Sequence, residues 1–172
     1  MDEHALEQLA AVAGERLRQA GLLLVTAESC TGGMLAEAVT SVAGSSEWFE
    51  RGFVTYSNAS KQELLAVRAE TLEQRGAVDE QTAREMALGA LAASRASVSL
   101  AITGVAGPGG GSADKPVGTV CLAWADRSGI VRSETRRFAG ERRSVRRQSA
   151  IRALEVLNDL LAVRLAARAK LS

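Results

Sequence analysis

Strand-length apolar runs alternate with helix-period segments along much of this chain, and that order limits its possible folds more than any other feature. LLLVTA (22–27), RGFVTYS (51–57) and SVSLAIT (97–103) read as strands. Before the first of them, Leu6, Leu9, Ala13 and Leu17 recur at helical spacing, with Gly21 as the C-cap. Helices are expected over 32–42 and 58–67, and a short capped turn at Ser45 or Ser46. Asp79 is placed to N-cap a helix over 80–94, whose Ala83, Met86, Ala87, Ala90 and Leu91 share a face. Late in the chain, VGTVCLAWA (117–125) and GIVRSETRRFA (129–139) flank Asp126-Arg127-Ser128 as a hairpin. A last helix begins near Glu141, with Ala150, Leu154, Leu157 and Leu161 on its core face. Strands that alternate with helices and then close on a hairpin predict an α/β fold. The expected form is a three-layer α/β/α sandwich whose sheet is mostly parallel with one antiparallel member.

The bulk numbers fit one domain over 1–172: 47% of residues are apolar and 24% charged. A net charge of +1 disfavours non-specific nucleic-acid binding. No apolar run approaches a membrane span, and MDEHALEQLAAVAGERLRQAG lacks the basic and apolar regions of a signal peptide. Cys30 and Cys121 form no disulfide framework or zinc pattern, so a cytoplasmic, reduced protein is expected. With His4 as the one histidine, neither a histidine-based triad nor a histidine metal site is expected.

In open α/β sheets, ligands bind beyond the carboxyl ends of the strands. Three segments should meet there: Glu28–Gly33, Tyr56–Lys61 and Thr103–Gly111. The first, within TAESCTGG, is open to three readings. It is a nucleophile turn, a phosphate cradle, or a helix start capped by Ser29 or Thr31. No Lys follows its glycines as a Walker loop requires, and G-x-S-x-G is absent. What stands there is a hydroxyl beside a thiol at a helix N-terminus, where backbone N–H groups can stabilise an oxyanion.

A serine nucleophile needs a base. The chain has 18 Arg and 3 Lys, and guanidinium does not deprotonate. Lys170 lies in the tail and Lys115 in the glycine loop, whereas Lys61, in YSNASK, is placed to face Ser29. A lysine of pKa ~10.4 is neutral in only about one molecule in 2,500 at pH 7, so general-base work requires burial or a nearby cation. The alternative is a solvated helix lysine. Tyr56 is either a proton relay beside Lys61 or a packing aromatic. Cys30 is read as a buried small residue rather than a second nucleophile. The loop after the third strand, TGVAGPGGG, either brings backbone amides to a ligand or is a mobile surface loop. From Arg132 to Arg147 there are seven arginines against two glutamates. Arginines at a helix N-terminus oppose its dipole, which suggests a bound phosphate or carboxylate; the alternative is a solvated basic face.

Taken together, AESCTGG, GSSEWFERGFVTYSN with Lys61 after it, TGVAGPGGGS…KPVGTV and GERRSVRRQ resemble the CinA C-terminal-domain family, most closely its stand-alone nicotinamide-nucleotide amidohydrolases. The resemblance runs in order along nearly the whole chain. It implies an amidase that converts nicotinamide mononucleotide and water to nicotinate mononucleotide and ammonia. It also implies a mixed five-stranded sheet, no metal or other cofactor, and a homodimer. By motif, the nucleophile falls on Ser29, the base on Lys61, a supporting tyrosine on Tyr56 and a threonine on Thr103. Substrate contacts are expected from Thr31, Gly32 and Gly33 of the turn, from Asn58, and from Gly104 and Gly107 of the glycine loop. Arg142 and Arg146 best fit the family's R-x-x-x-R phosphate pattern. Two alternatives remain: a non-catalytic nucleotide-binding module linked to competence or DNA damage, and an amidase for another phosphorylated amide.

Overall fold

A computed structural model describes residues 4–172. In chain order the elements are α1 (Ala5–Ala20), β1 (Leu24–Glu28), α2 (Met34–Thr40), β2 (Phe49–Val54), α3 (Asn58–Leu65), α4 (Ala69–Arg75), α5 (Glu80–Ala92), β3 (Val98–Gly104), β4 (Thr119–Asp126), β5 (Val131–Arg137) and α6 (Arg142–Ala169). The strands form one five-stranded sheet in the order β2-β1-β3-β4-β5. β1 pairs in parallel with β2 and β3, while β4 runs antiparallel to both β3 and β5. Four strands therefore point one way and β4 the other, as the pattern of strands and helices predicts.

Side chains alternate across the sheet by size, and this decides how each layer packs. Leu24, Leu100, Ile102, Leu122 and Trp124 face α1, α2 and α6. Ala27, Ala101, Cys121, Ala123 and Ala125 face α5. Large residues on the first face fill the space to the long helix α6, and Trp124 Nε1 donates to Ala153 O at 3.0 Å there. Small residues on the second face let α5, itself rich in alanine, lie close to the strands. Ser99 on that face donates to Ala87 O at 2.8 Å, so its buried hydroxyl is satisfied. The close approach extends outward to α3: a Cβ at Gly89 would stand 1.8 Å from Leu65 O.

Several ends are set by residues the sequence flags. Gly21 closes α1 in the left-handed region at φ 67°, and Asp79 accepts the Gln81 N–H to start α5. Asp126 Oδ1 accepts the N–H groups of Ser128 and Ile130, forming the expected hairpin turn. Other ends depart from expectation. The turn at Ser45–Glu47 is a short 3-10 segment entered from left-handed Gly44, with no serine side-chain cap. The helix expected from residue 32 starts at Met34, because Gly32 and Gly33 take φ 57° and 103°. Helix α4 was not expected, since its seven residues, AETLEQR, carry too little apolar periodicity and only Thr71 and Leu72 are buried. Among the described residues, no helix is long and apolar enough to cross a membrane.

Replacing Gly89 with Ala should lower the unfolding free energy by about 1–3 kcal/mol through overpacking against a backbone carbonyl. Gly109→Ala, which meets nothing within 4 Å at an ordinary φ, should be neutral by comparison. Urea unfolding of the two variants checks this.

Candidate active site

The parallel strands β1, β2 and β3 end level with one another, Glu28 pairing with Val54 on one side and Ile102 on the other. The segments that leave these ends enclose a cleft of about 290 Å³. Ser29, Cys30, Tyr56, Asn58, Lys61, Thr103 and the glycine loop line it, closed on one side by Arg142. The three segments singled out in the sequence therefore do converge. His4 does not line the cleft.

The turn after β1 is built from few bonds. Ser29 N donates to Ile102 O at 2.9 Å, and Gly32 N donates back to Ser29 O at 3.0 Å. The left-handed glycines then swing the chain into α2. Neither Ser29 nor Thr31 caps that helix, so the capping expectation is corrected: Gly33 is the N-cap and has no side chain to offer. Glu28 takes the role instead. Its buried carboxylate accepts from Leu35 N at 2.8 Å and Ala36 N at 3.1 Å, satisfying two orphan amides and placing negative charge at the helix start. A carboxylate reaching forward from a strand end lies outside the usual cap spacing, which is why sequence reasoning missed it. With the cap supplied by Glu28, the Ser29 hydroxyl is left to face the cleft.

The lysine arrives from the other side. Ser57 and Ser60 form a reciprocal capping box that starts α3, with Ser60 N donating to Ser57 Oγ at 3.0 Å. One residue later Lys61 turns inward and is 1% exposed. Its Nζ lies 2.9 Å from Ser29 Oγ and donates to Thr55 O at 2.7 Å. Among the described residues no carboxylate pairs with it. Burial therefore pushes its pKa below the ordinary lysine value, with neighbouring Cys30 acting in the opposite direction. The solvated-lysine alternative does not describe this side chain. Cys30 is buried too, and burial pushes its thiol up to about 12. At neutral pH it is a protonated thiol and a poor nucleophile.

The other candidates divide. Tyr56 and Asn58 line the cleft, but Tyr56 is 64% exposed and its hydroxyl accepts from Arg142 Nη2 at 2.9 Å rather than bonding Lys61. Thr103 lines the cleft with its hydroxyl donating to Ala77 O at 2.8 Å, so that proton is directed away from Ser29. Gly104 and Gly107 line it as expected, and Arg142 Nη1 also donates to Gly107 O at 2.8 Å. Thr31, Gly32, Gly33 and Arg146 do not line it. Arg146 instead borders an adjoining groove of about 810 Å³ with Met34, Pro108, Val117, Arg142 and Arg143. Among the described residues, the amides of Cys30, Ala106 and Gly107 at the cleft donate to no other residue.

A lysine whose folded-state pKa is depressed binds fewer protons in the folded than in the unfolded chain. Stability then rises with pH up to the unfolded value of about 10.4. Wild type should gain stability relative to Lys61→Met as pH is raised from neutrality toward that value. Paired denaturation curves read this directly, and a relative loss would mean a raised pKa.

The family model described as the CinA C-terminal domain matches residues 6–161. The nicotinamide-nucleotide amidohydrolase PncC of Escherichia coli K12 is 52% identical over 159 residues, which cover 91% of this chain and 95% of that protein. The protein of the same name from Pseudomonas putida is 53% identical over 152 residues, covering 88% and 94%. The crystal structure of the competence/damage inducible protein CihA from Agrobacterium tumefaciens superposes with a TM-score of 0.89 at 48% identity, covering 91% of this chain and 95% of that one.

Proposed function

This chain belongs to the CinA C-terminal domain family, and from that premise we propose that it hydrolyses the carboxamide of nicotinamide mononucleotide to nicotinate mononucleotide and ammonia, as a step of pyridine-nucleotide salvage. The observation that carries the reading is the buried Lys61 Nζ 2.9 Å from Ser29 Oγ at the carboxyl ends of three parallel strands. The names of the relatives supply the substrate, and the dyad supplies chemistry that suits it.

Neutral Lys61 has one lone pair and two N–H bonds. One N–H goes to Thr55 O, which aims the lone pair at the Ser29 hydroxyl. Lys61 takes that proton as Oγ attacks the carboxamide carbon, and the carbonyl electron pair moves to oxygen. The unpaired amides at the cleft, with Cys30 N next to the nucleophile, are the donors for this oxyanion. Collapse re-forms the carbonyl and breaks the C–N bond, and the departing nitrogen takes the proton from Lys61 to leave as ammonia. Lys61, neutral again, deprotonates a water that attacks the acyl-Ser29 ester. That proton returns to Oγ as the ester bond breaks, and the nicotinic acid group released loses its own proton to solvent.

Thr103 is assigned to cleft shape rather than to the oxyanion, because Ala77 O takes its proton. Tyr56 is held at the mouth by Arg142, whose Nη2 donates to its hydroxyl. The groove beyond, with Arg142 and Arg143 at the N-terminus of α6, offers the positive charge for the ribose phosphate. Binding energy from that remote group positions the amide against Ser29.

Ammonia release from nicotinamide mononucleotide tests the reading. Ser29→Ala should lower kcat by at least about 1,000-fold, in the range of lost catalytic nucleophiles. Cys30→Ala should stay within about threefold of wild type, because a thiol held protonated contributes no nucleophile. Binding of the nucleotide by wild type without ammonia release would overturn the amidase assignment in favour of a regulatory module.

A further inference from the structure

We propose that Arg146 is a positioning residue for the Ser29 turn and not a ligand of the substrate phosphate. The inference deepens the amidase reading and rests on it for what the turn does. Arg146 lies in the second turn of α6 and is half-buried. Its Nε donates to Cys30 O at 3.1 Å and its Nη2 to Thr31 O at 2.9 Å. One planar guanidinium thus holds two consecutive carbonyls, a match that depends on the fixed fork of its donors. It packs closely as well: a Cβ at Gly32 would stand 3.4 Å from Nη2, while Gly32 holds a left-handed φ of 57°.

What this grip controls follows from the planarity of the peptide unit, in which N–H and C=O point in opposite directions. Holding Thr31 C=O orients the Gly32 N–H of the same unit, and that N–H donates to Ser29 O at 3.0 Å. Holding Ser29 C=O in turn orients the Cys30 N–H, which lies at the cleft and donates to no other described residue. Arg146 therefore sets the direction of an oxyanion donor through two peptide units in series. The turn needs such an external tie. Two successive left-handed glycines make it conformationally free, and the Thr31 hydroxyl inside it is buried without a partner. Removing the fork leaves Ser29 in place but lets the peptide planes rotate.

The two roles separate in the kinetics. A phosphate ligand acts on substrate binding, and its loss is felt only by substrates that carry a phosphate. A positioning residue acts in the transition state and treats both alike. We would measure Arg146→Lys and Arg146→Met on the full chain with nicotinamide mononucleotide, together with amide hydrogen exchange at Cys30 and Gly32. For both variants kcat should fall about 100-fold, as for a misplaced or lost oxyanion donor, with KM within about threefold of wild type. Exchange at Gly32 should quicken, because its bond to Ser29 O is no longer enforced. Lysine keeps the charge but not the fork, so it should not restore kcat. A KM raised tenfold or more with kcat retained, or restored by lysine, would overturn the proposal. If wild type releases no ammonia, the amidase reading fails. The exchange measurement still decides the positioning role: faster Gly32 exchange in Arg146→Met supports it, and unchanged exchange removes it.

Discussion

The structure turns on one buried amine. Lys61 is enclosed at 1% exposure, between a serine hydroxyl and the carbonyl of Thr55, with no carboxylate paired to it among the described residues. A charged ammonium in such a place is costly, so burial favours the neutral form. The same environment that makes Lys61 poor as a structural residue suits the general-base role proposed for it. The rest of the site can be understood as what keeps this amine dry and aimed. The capping box at Ser57 and Ser60 fixes the start of α3, so Lys61 falls on the inward side of its first turns. Three parallel strands ending level bring Thr55, Ser29 and Thr103 to one place.

On the opposite side, Ser29 is held by partners that leave its hydroxyl alone. Glu28 caps α2 in place of the serine, and Ile102 O takes the Ser29 amide. Arg146 secures the carbonyls that follow. The Ser29 turn therefore has little rigidity of its own and takes its geometry from β1, β3 and α6. A soft, glycine-bearing turn lets backbone amides approach a substrate closely, and rigid neighbours remove the freedom that would otherwise blunt catalysis. Arg142 does comparable work across the cleft, joining Tyr56 after β2 to Gly107 of the glycine loop.

Much of this was legible in the sequence because it is local. The alternation of strands and helices, the Gly21 and Asp79 caps, the hairpin at Asp126 and the inward faces of α5 and α6 all follow from periodicity and turn chemistry within a few residues. Convergence of the three loops followed from the parallel sheet. What was not legible depends on contacts between distant segments. The spacing places Lys61 to face Ser29 but leaves a solvated helix lysine open until the turn 32 positions earlier is laid over it. Arg146 reads as one of several basic residues until its fork is seen on carbonyls 116 and 115 positions away. Glu28 and α4 were missed for a different reason: the first uses an unusual cap spacing and the second buries too little to show a pattern.

The proposed mechanism requires a neutral Lys61 beside Ser29, and the titration of that amine tests the requirement most directly. Isotopic labelling of the three lysines, with Lys61 identified by its loss in Lys61→Met, allows the chemical shift of the carbon beside Nζ to be followed against pH. The expected Lys61 midpoint lies below the ordinary lysine value, in the direction that burial dictates. A midpoint at or above the ordinary lysine value of about 10.4 would mean a permanently charged ammonium, and the general-base role would be contradicted.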